Sequence, residues 1–197
     1  MPKQKSESPL KPDEILTAEF QYIADSAFQA NEDRSKAASF FLVSVGSLVA
    51  AIFGAQELSA AKEVPLTLYF VLAGLFFVLS LLGGLTVTQL ARLRAAWYES
   101  ALAMNEIKEY YSDHFGEIEL YKAFRWKKNT MPSRFKLNSI SFSTALEVAL
   151  LSGLTFGAST YFFQQGIRYS SHLWIVTLLC GLFALSLQLY FYWRLLK

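Results

Sequence analysis

The stretch RLRAAWYESALAMNEIKEYYSDHFGEIELYKAFRWKKNTMPSRFKLNS, residues 92–139, decides the fold. It is polar and charged, and a pair of apolar segments lies on each side of it. Nine of the eighteen Lys and Arg residues of the chain fall within it. Seven more lie before the first apolar segment or after the last, which leaves only Lys62 and Arg168 in the two short turns. Lys and Arg are retained on the cytoplasmic side of a membrane, so this bias places both chain ends and the central stretch there.

Composition agrees with a membrane chain. Of the 197 residues, 53% are hydrophobic and 17% charged, against about 25% charged in a typical soluble domain. The mean hydropathy is +0.29. The charge deficit is concentrated in four windows, which predicts an all-α polytopic membrane protein with four transmembrane helices arranged as two hairpins. The first span is Ala37 to Ala55, roughly 28 Å as a helix and long enough for the hydrocarbon core. The second is Leu66 to Leu90, the third Ile140 to Phe163 and the fourth Leu173 to Trp193. The single cysteine, Cys180, excludes a disulfide framework within the chain. The first apolar run begins after a polar segment of more than thirty residues, so no secretory signal peptide is expected.

The flanking segments extend the helices. Residues 1–12, with Pro2, Pro9 and Pro12, read as a disordered tail. From Asp13 to Lys36, Leu16, Phe20, Ile23 and Ala27 recur at helical spacing and predict a cytoplasmic amphipathic helix that packs on its own protein. After the second span, Leu90, Leu93, Trp97, Met104, Ile107 and Tyr111 continue one apolar stripe. A stalk of about 35–40 Å, ending near Gly116, is therefore expected. Between Lys122 and Lys136 lie Lys122, Arg125, Lys127, Lys128, Arg134 and Lys136 with no acid. Phe124, Trp126 and Phe135 are interleaved. A basic cluster can bind nucleic acid, but this one abuts a span, so anionic lipid headgroups of the cytoplasmic leaflet are the expected partner. Tyr161, Tyr169 and Trp174 would form one interfacial aromatic belt, and Tyr190, Tyr192 and Trp193 the other.

Small residues repeat every four positions within the spans. Gly46, Ala50 and Gly54 mark a face of the first. Ser141, Ala145, Ala149, Gly153 and Gly157 mark a longer one on the third. Such faces let another helix approach closely. Glu147 is the one ionisable residue well inside a span, about 10 Å from its cytoplasmic end, and charge in hydrocarbon marks a functional candidate. Counting residues from a turn near Arg168 puts Gln188 at the same depth on the neighbouring helix. Three readings follow: a hydrogen-bonded Glu147–Gln188 packing pair, a carboxylate lining a water-filled path, or an ion pair with Arg92 or Arg94. His114 with Asp113 and Glu117 falls short of a metal site, since one His is available and Gly116 interrupts the helix. No Gly-rich phosphate loop, paired-His motif or Ser–His–Asp set is present. Neither an enzyme nor a cofactor is expected.

The stretch Ala27-Phe28-Gln29-Ala30-Asn31-Glu32-Asp33-Arg34 before the first span, and Gln89 to Tyr111 after the second, carry a resemblance. With the two spans between them, residues 15–112 resemble the SLATT-type membrane domains of bacterial conflict systems. This chain adds a second hairpin. The resemblance implies a bacterial inner-membrane protein acting as a membrane-perturbing or pore-type defence effector, and it transfers no functional residue. The spare small-residue faces, and a stalk stripe with little else in the chain to cover it, predict a homo-oligomeric channel or pore. The competing expectation is a non-conducting scaffold that holds a cytoplasmic protein partner through the stalk.

Overall fold

The structure is a computed structural model and describes residues 12–58, 65–115, 130–168 and 172–197. These form four helices: α1 (Pro12–Leu58), α2 (Leu66–Phe115), α3 (Ile140–Gly166) and α4 (Leu173–Leu196). No strand occurs among the described residues. All four helices are long and apolar enough to cross a membrane. The amphipathic segment and the first span are one unbroken helix. Neither Gly nor Pro falls between Pro12 and Gly46, so nothing interrupts the backbone hydrogen bonds where the polar segment gives way to the apolar one. The second span likewise runs on without a break to Phe115.

The helix ends follow local chemistry. Pro65 precedes α2, and its carbonyl accepts from the Leu68 N–H at 2.9 Å. Ser139 caps α3, its hydroxyl oxygen accepting from the Phe142 N–H at 3.2 Å. Between α3 and α4, Arg168 (φ 54°) and His172 (φ 55°) adopt left-handed backbone that carries the chain around the turn.

The chain divides into two compact units. In the first, residues 12–31 of α1 lie antiparallel to residues 96–115 of α2. Ala27, Ala30, Ala101 and Asn105 are buried, while Leu16, Phe20, Ile23, Met104, Ile107 and Tyr111 are half-buried. Three alanines among the buried positions let the two helices come close. The Tyr111 hydroxyl donates to the Asp13 carbonyl at 3.5 Å, and Lys108 Nζ sits 5.8 Å from the centre of the Phe20 ring. The apolar stripe of the stalk is thus covered by the leading part of α1. The expectation that little in the chain covers it is corrected: one continuous α1 extends far enough back along α2 to do so.

The second unit holds residues 32–95 and 133–197. Its core joins Phe41 and Val45 of α1, Phe76, Leu79, Val87 and Leu90 of α2, Val148 and Ala149 of α3, and Tyr192 and Leu196 of α4. The outer surfaces are apolar. Phe40, Leu85, Leu154, Leu178 and Phe183 are each more than half exposed, the pattern of helices that face lipid tails rather than water.

Candidate functional site

A line of hydrogen bonds crosses the interior of the second unit. Ser152 on α3 donates its hydroxyl to the Ser80 carbonyl on α2 at 2.9 Å. Ser159, two turns along α3, donates to the Ala73 carbonyl on α2 at 2.8 Å. Gln188 on α4 donates from Nε2 to the Ser152 hydroxyl oxygen at 2.7 Å. Ser152 has one hydrogen and spends it on Ser80, so it can only accept from Gln188. That fixes the orientation of the Gln188 amide. Its Oε1 is buried and has no hydrogen-bond partner. The helices meet closely here: a Cβ built on Gly83 would lie 2.5 Å from Ser152 Cβ and 2.8 Å from the Phe41 ring.

The third-span stripe is spent inside the chain. Ala145 and Ala149 are fully buried, and Ser141 nearly so. A Cβ on Gly153 would come within 2.9 Å of the Gly181 carbonyl, and one on Gly157 within 3.3 Å of the Thr177 carbonyl. The backbones of α3 and α4 therefore touch through glycines. The first-span face behaves oppositely. Gly46 and Ala50 are exposed, and nothing stands within 4 Å of a Cβ at Gly46. The surroundings of Gly54 lie outside the described residues.

The expected Glu147–Gln188 pair does not form. The depth argument lands close: the contacts of Gly153 and Gly157 with α4, continued along both helices, bring residue 147 opposite about residue 189. Azimuth separates the two. Glu147 shares the outward face of α3 with Ile140, Ser143, Leu150 and Leu154, all exposed. Ser152, which Gln188 reaches, lies five residues on and about 140° around the helix. The reading of Glu147 as a buried packing residue is corrected accordingly: its carboxylate is on the outside of the bundle.

At the end of this unit that carries Ser139, two arginines turn inward. Arg34 donates from Nη1 to the Ser141 hydroxyl at 2.6 Å, and Arg94 from Nε to the Arg134 carbonyl at 3.3 Å. Burial holds both guanidinium groups below the ordinary arginine range. For Arg94 the charge of Arg34 adds to this, while the Tyr192 hydroxyl offsets part of it in both. Arg94 thus has a backbone partner in place of the proposed bond to Glu147, and Arg92 is exposed. Tyr192 is 1% exposed and packs edge-on against Phe135 and at a tilt against Phe142, at 6.5 and 6.2 Å between ring centres. It leaves the interfacial belt assigned to it, whereas Tyr190–Trp193 and Tyr161–Trp174 do pair at 6.0 and 5.3 Å. The signal for Tyr192 is in the sequence: Ala184, Gln188, Tyr192 and Leu196 recur every four residues and form the inner face of α4.

Of the basic segment, Lys122, Arg125, Trp126, Lys127 and Lys128 lie outside the described residues. Arg134 is half-buried and Lys136 exposed. Among the described residues no group of three His, Cys, Asp or Glu is placed to hold a metal. No family model, curated protein or solved structure is significantly similar to the chain.

Proposed function

We propose that the protein is a homo-oligomeric channel or pore-type effector of a bacterial inner membrane, built from two membrane hairpins with both termini in the cytoplasm. Glu147 carries the reading. It sits about 10 Å inside the apolar length of α3 and points away from its own bundle. An acidic side chain in a lipid-facing helix costs up to about 3 kcal/mol on insertion scales, the full amount being reached at the helix centre. Several copies packed around one axis remove that cost by turning each Glu147 toward water and toward its neighbours. A ring of carboxylates in a pore concentrates cations and disfavours anions.

Two further features support assembly. The interior of one bundle is filled at Ala145, Val148, Ala149 and Ser152, all fully buried, so a conducting path has to run between copies. The exposed Gly46–Ala50 face offers a surface on which a second backbone can close. The charge bias of sixteen against two basic residues supports the orientation, and the six basic residues from Lys122 to Lys136 suit anionic headgroups. The resemblance of residues 15–112 to SLATT-type domains points to the same class. The mass of the detergent-solubilised particle tests this reading: several copies per particle are expected, and a monomer contradicts it.

The second reading, a non-conducting scaffold for a cytoplasmic partner, has one observation of its own. Tyr22 and Phe28, 69% and 68% exposed, stand on the outside of the α1–α2 pair in the first unit. Purification of a protein on wild type but not on a Tyr22→Ser, Phe28→Ser variant, together with an absence of current, would favour it.

A further inference from the structure

A cleft of about 480 Å³ runs between α1 and α2 of the second unit, and its lining changes character from end to end. Asp33 and Lys36 of α1 and Gln89 of α2 line one end, and Phe40, Leu82 and Leu85 line the other. From Leu93 to Leu82 it follows α2 for about 16 Å, which fits within one leaflet of a bilayer, headgroups included. Short side chains keep it open. Ala37 and Thr86, midway along it, leave a gap beside the positions where Ala38 and Phe41 meet Val87 and Leu90 in the core. Phe40 and Leu85 are more than half exposed, so the apolar end lies open to the surroundings of the bundle.

The polar end offers charge of both signs. Asp33 stands about one helical turn before the apolar run that begins at Ala37, the level at which headgroups lie. The residue is half-buried, and among the described residues its carboxylate has no hydrogen bond or ion pair. The nearest cations in sequence are engaged elsewhere: Lys36 Nζ pairs with Glu32 at 3.2 Å, and Arg34 donates to the Ser141 hydroxyl. An ammonium has three hydrogens to give, so Lys36 keeps two donors beyond that pair. An acceptor-only carboxylate beside an ammonium with spare donors matches a zwitterion, not a single charge. A net-negative headgroup would meet Glu32 and Asp33, and a trimethylammonium headgroup has no N–H to donate to them.

We propose that this cleft selects a phospholipid with a primary-amine headgroup. Its ammonium donates to the Asp33 carboxylate, its phosphate accepts from Lys36, and one acyl chain lies along Phe40, Leu82 and Leu85. Assignment of the cleft to the cytoplasmic leaflet rests on the orientation proposed above. Vesicles with the same lipids in both leaflets make the test independent of that orientation and of any conduction.

The full-length protein in phosphatidylcholine vesicles would be irradiated with a trace of phosphatidylethanolamine carrying a diazirine in one acyl chain, or of phosphatidylcholine carrying the same chain. The labelled peptides would be mapped by mass spectrometry. The amine probe should label residues 33–40 and 82–93 about fivefold more than the choline probe, the worth of one exposed ion pair. Residues 173–187, on the opposite hairpin, should be labelled equally by both. Unlabelled phosphatidylethanolamine should compete, and phosphatidylglycerol should not. Asp33→Asn, which keeps the size and loses the charge, should bring the two probes to parity. Equal labelling of the wild type at residues 33–40 and 82–93 would overturn the proposal without any variant. So would competition by phosphatidylglycerol, or a preference that survives Asp33→Asn in protein of normal helical content.

Discussion

Ser152 gives its hydroxyl hydrogen to the carbonyl of Ser80 across the α2–α3 contact, and Ser159 repeats the bond to Ala73 seven residues away on both helices. The equal spacing locks the two helices in one antiparallel register. Interhelical hydrogen bonds in membrane bundles average about 0.6 kcal/mol and reach about 1.7. Ser159→Ala should lower stability by that amount. Ser152→Ala should lower it by about 1–3 kcal/mol, because the Gln188 amide then loses its acceptor as well. Unfolding in mixed micelles of increasing SDS fraction measures both. Equal losses would contradict the dependence of Gln188 on Ser152.

The glycines divide into two groups with opposite expectations. A Cβ at Gly83 would collide with Ser152 Cβ and one at Gly153 with the Gly181 carbonyl, while one at Gly181 would press on the Gly153 carbonyl at 3.0 Å. Neither neighbour is the far end of a flexible side chain. Gly83→Ala, Gly153→Ala and Gly181→Ala should each destabilise by about 1–3 kcal/mol. Gly46 and Gly74 face open space, so alanine there should be neutral or gain up to about 1 kcal/mol of helix propensity. The same micelle titration sorts the five variants.

These groups also show what the chain discloses before folding. Four apolar windows, the run of α2 beyond its apolar window and the Ala145–Gly157 stripe are legible because each is a one-dimensional pattern along a single helix. The depth of Glu147 is legible for the same reason, since every helix rises equally per residue. Its azimuth relative to α4 is not, because that depends on which face of α3 the other helices occupy. The identical four-residue spacing in the first and third spans has opposite outcomes: Gly153 is pressed against Gly181, and Gly46 meets nothing. Spacing marks a face on which helices can close, while the partner is set by the rest of the fold. The inward turn of Arg34 and Arg94 was hidden in the sequence by their place at the ends of spans, where basic residues ordinarily reach for headgroups.

Assembly should depend on the small-residue face of the first span and not on that of the third, which is occupied by α4. Gly46→Leu adds bulk to an exposed face and should leave each bundle folded while shifting the solubilised particle to lower mass. Light scattering of detergent-purified protein reads the difference. Unchanged mass would remove the Gly46–Ala50 face from the interface.

Orientation is tested with single cysteines in a Cys180→Ala background. Arg168→Cys should react with an impermeant maleimide added to intact cells. Ser112→Cys and Lys197→Cys should react only after the membrane is opened. The reverse pattern would invert the topology drawn from charge.

The carboxylate of Glu147 is the most direct test of the channel itself. Wild-type protein, Glu147→Gln and Glu147→Lys would be reconstituted in planar bilayers, and their reversal potentials compared under a salt gradient. If symmetry gathers Glu147 around a water-filled axis, wild type should select cations. Glu147→Gln should move the reversal potential toward zero with particle mass unchanged, and Glu147→Lys should carry it to the anion side. Identical reversal potentials in all three, or no current from assembled wild-type protein under any applied voltage, would contradict the account.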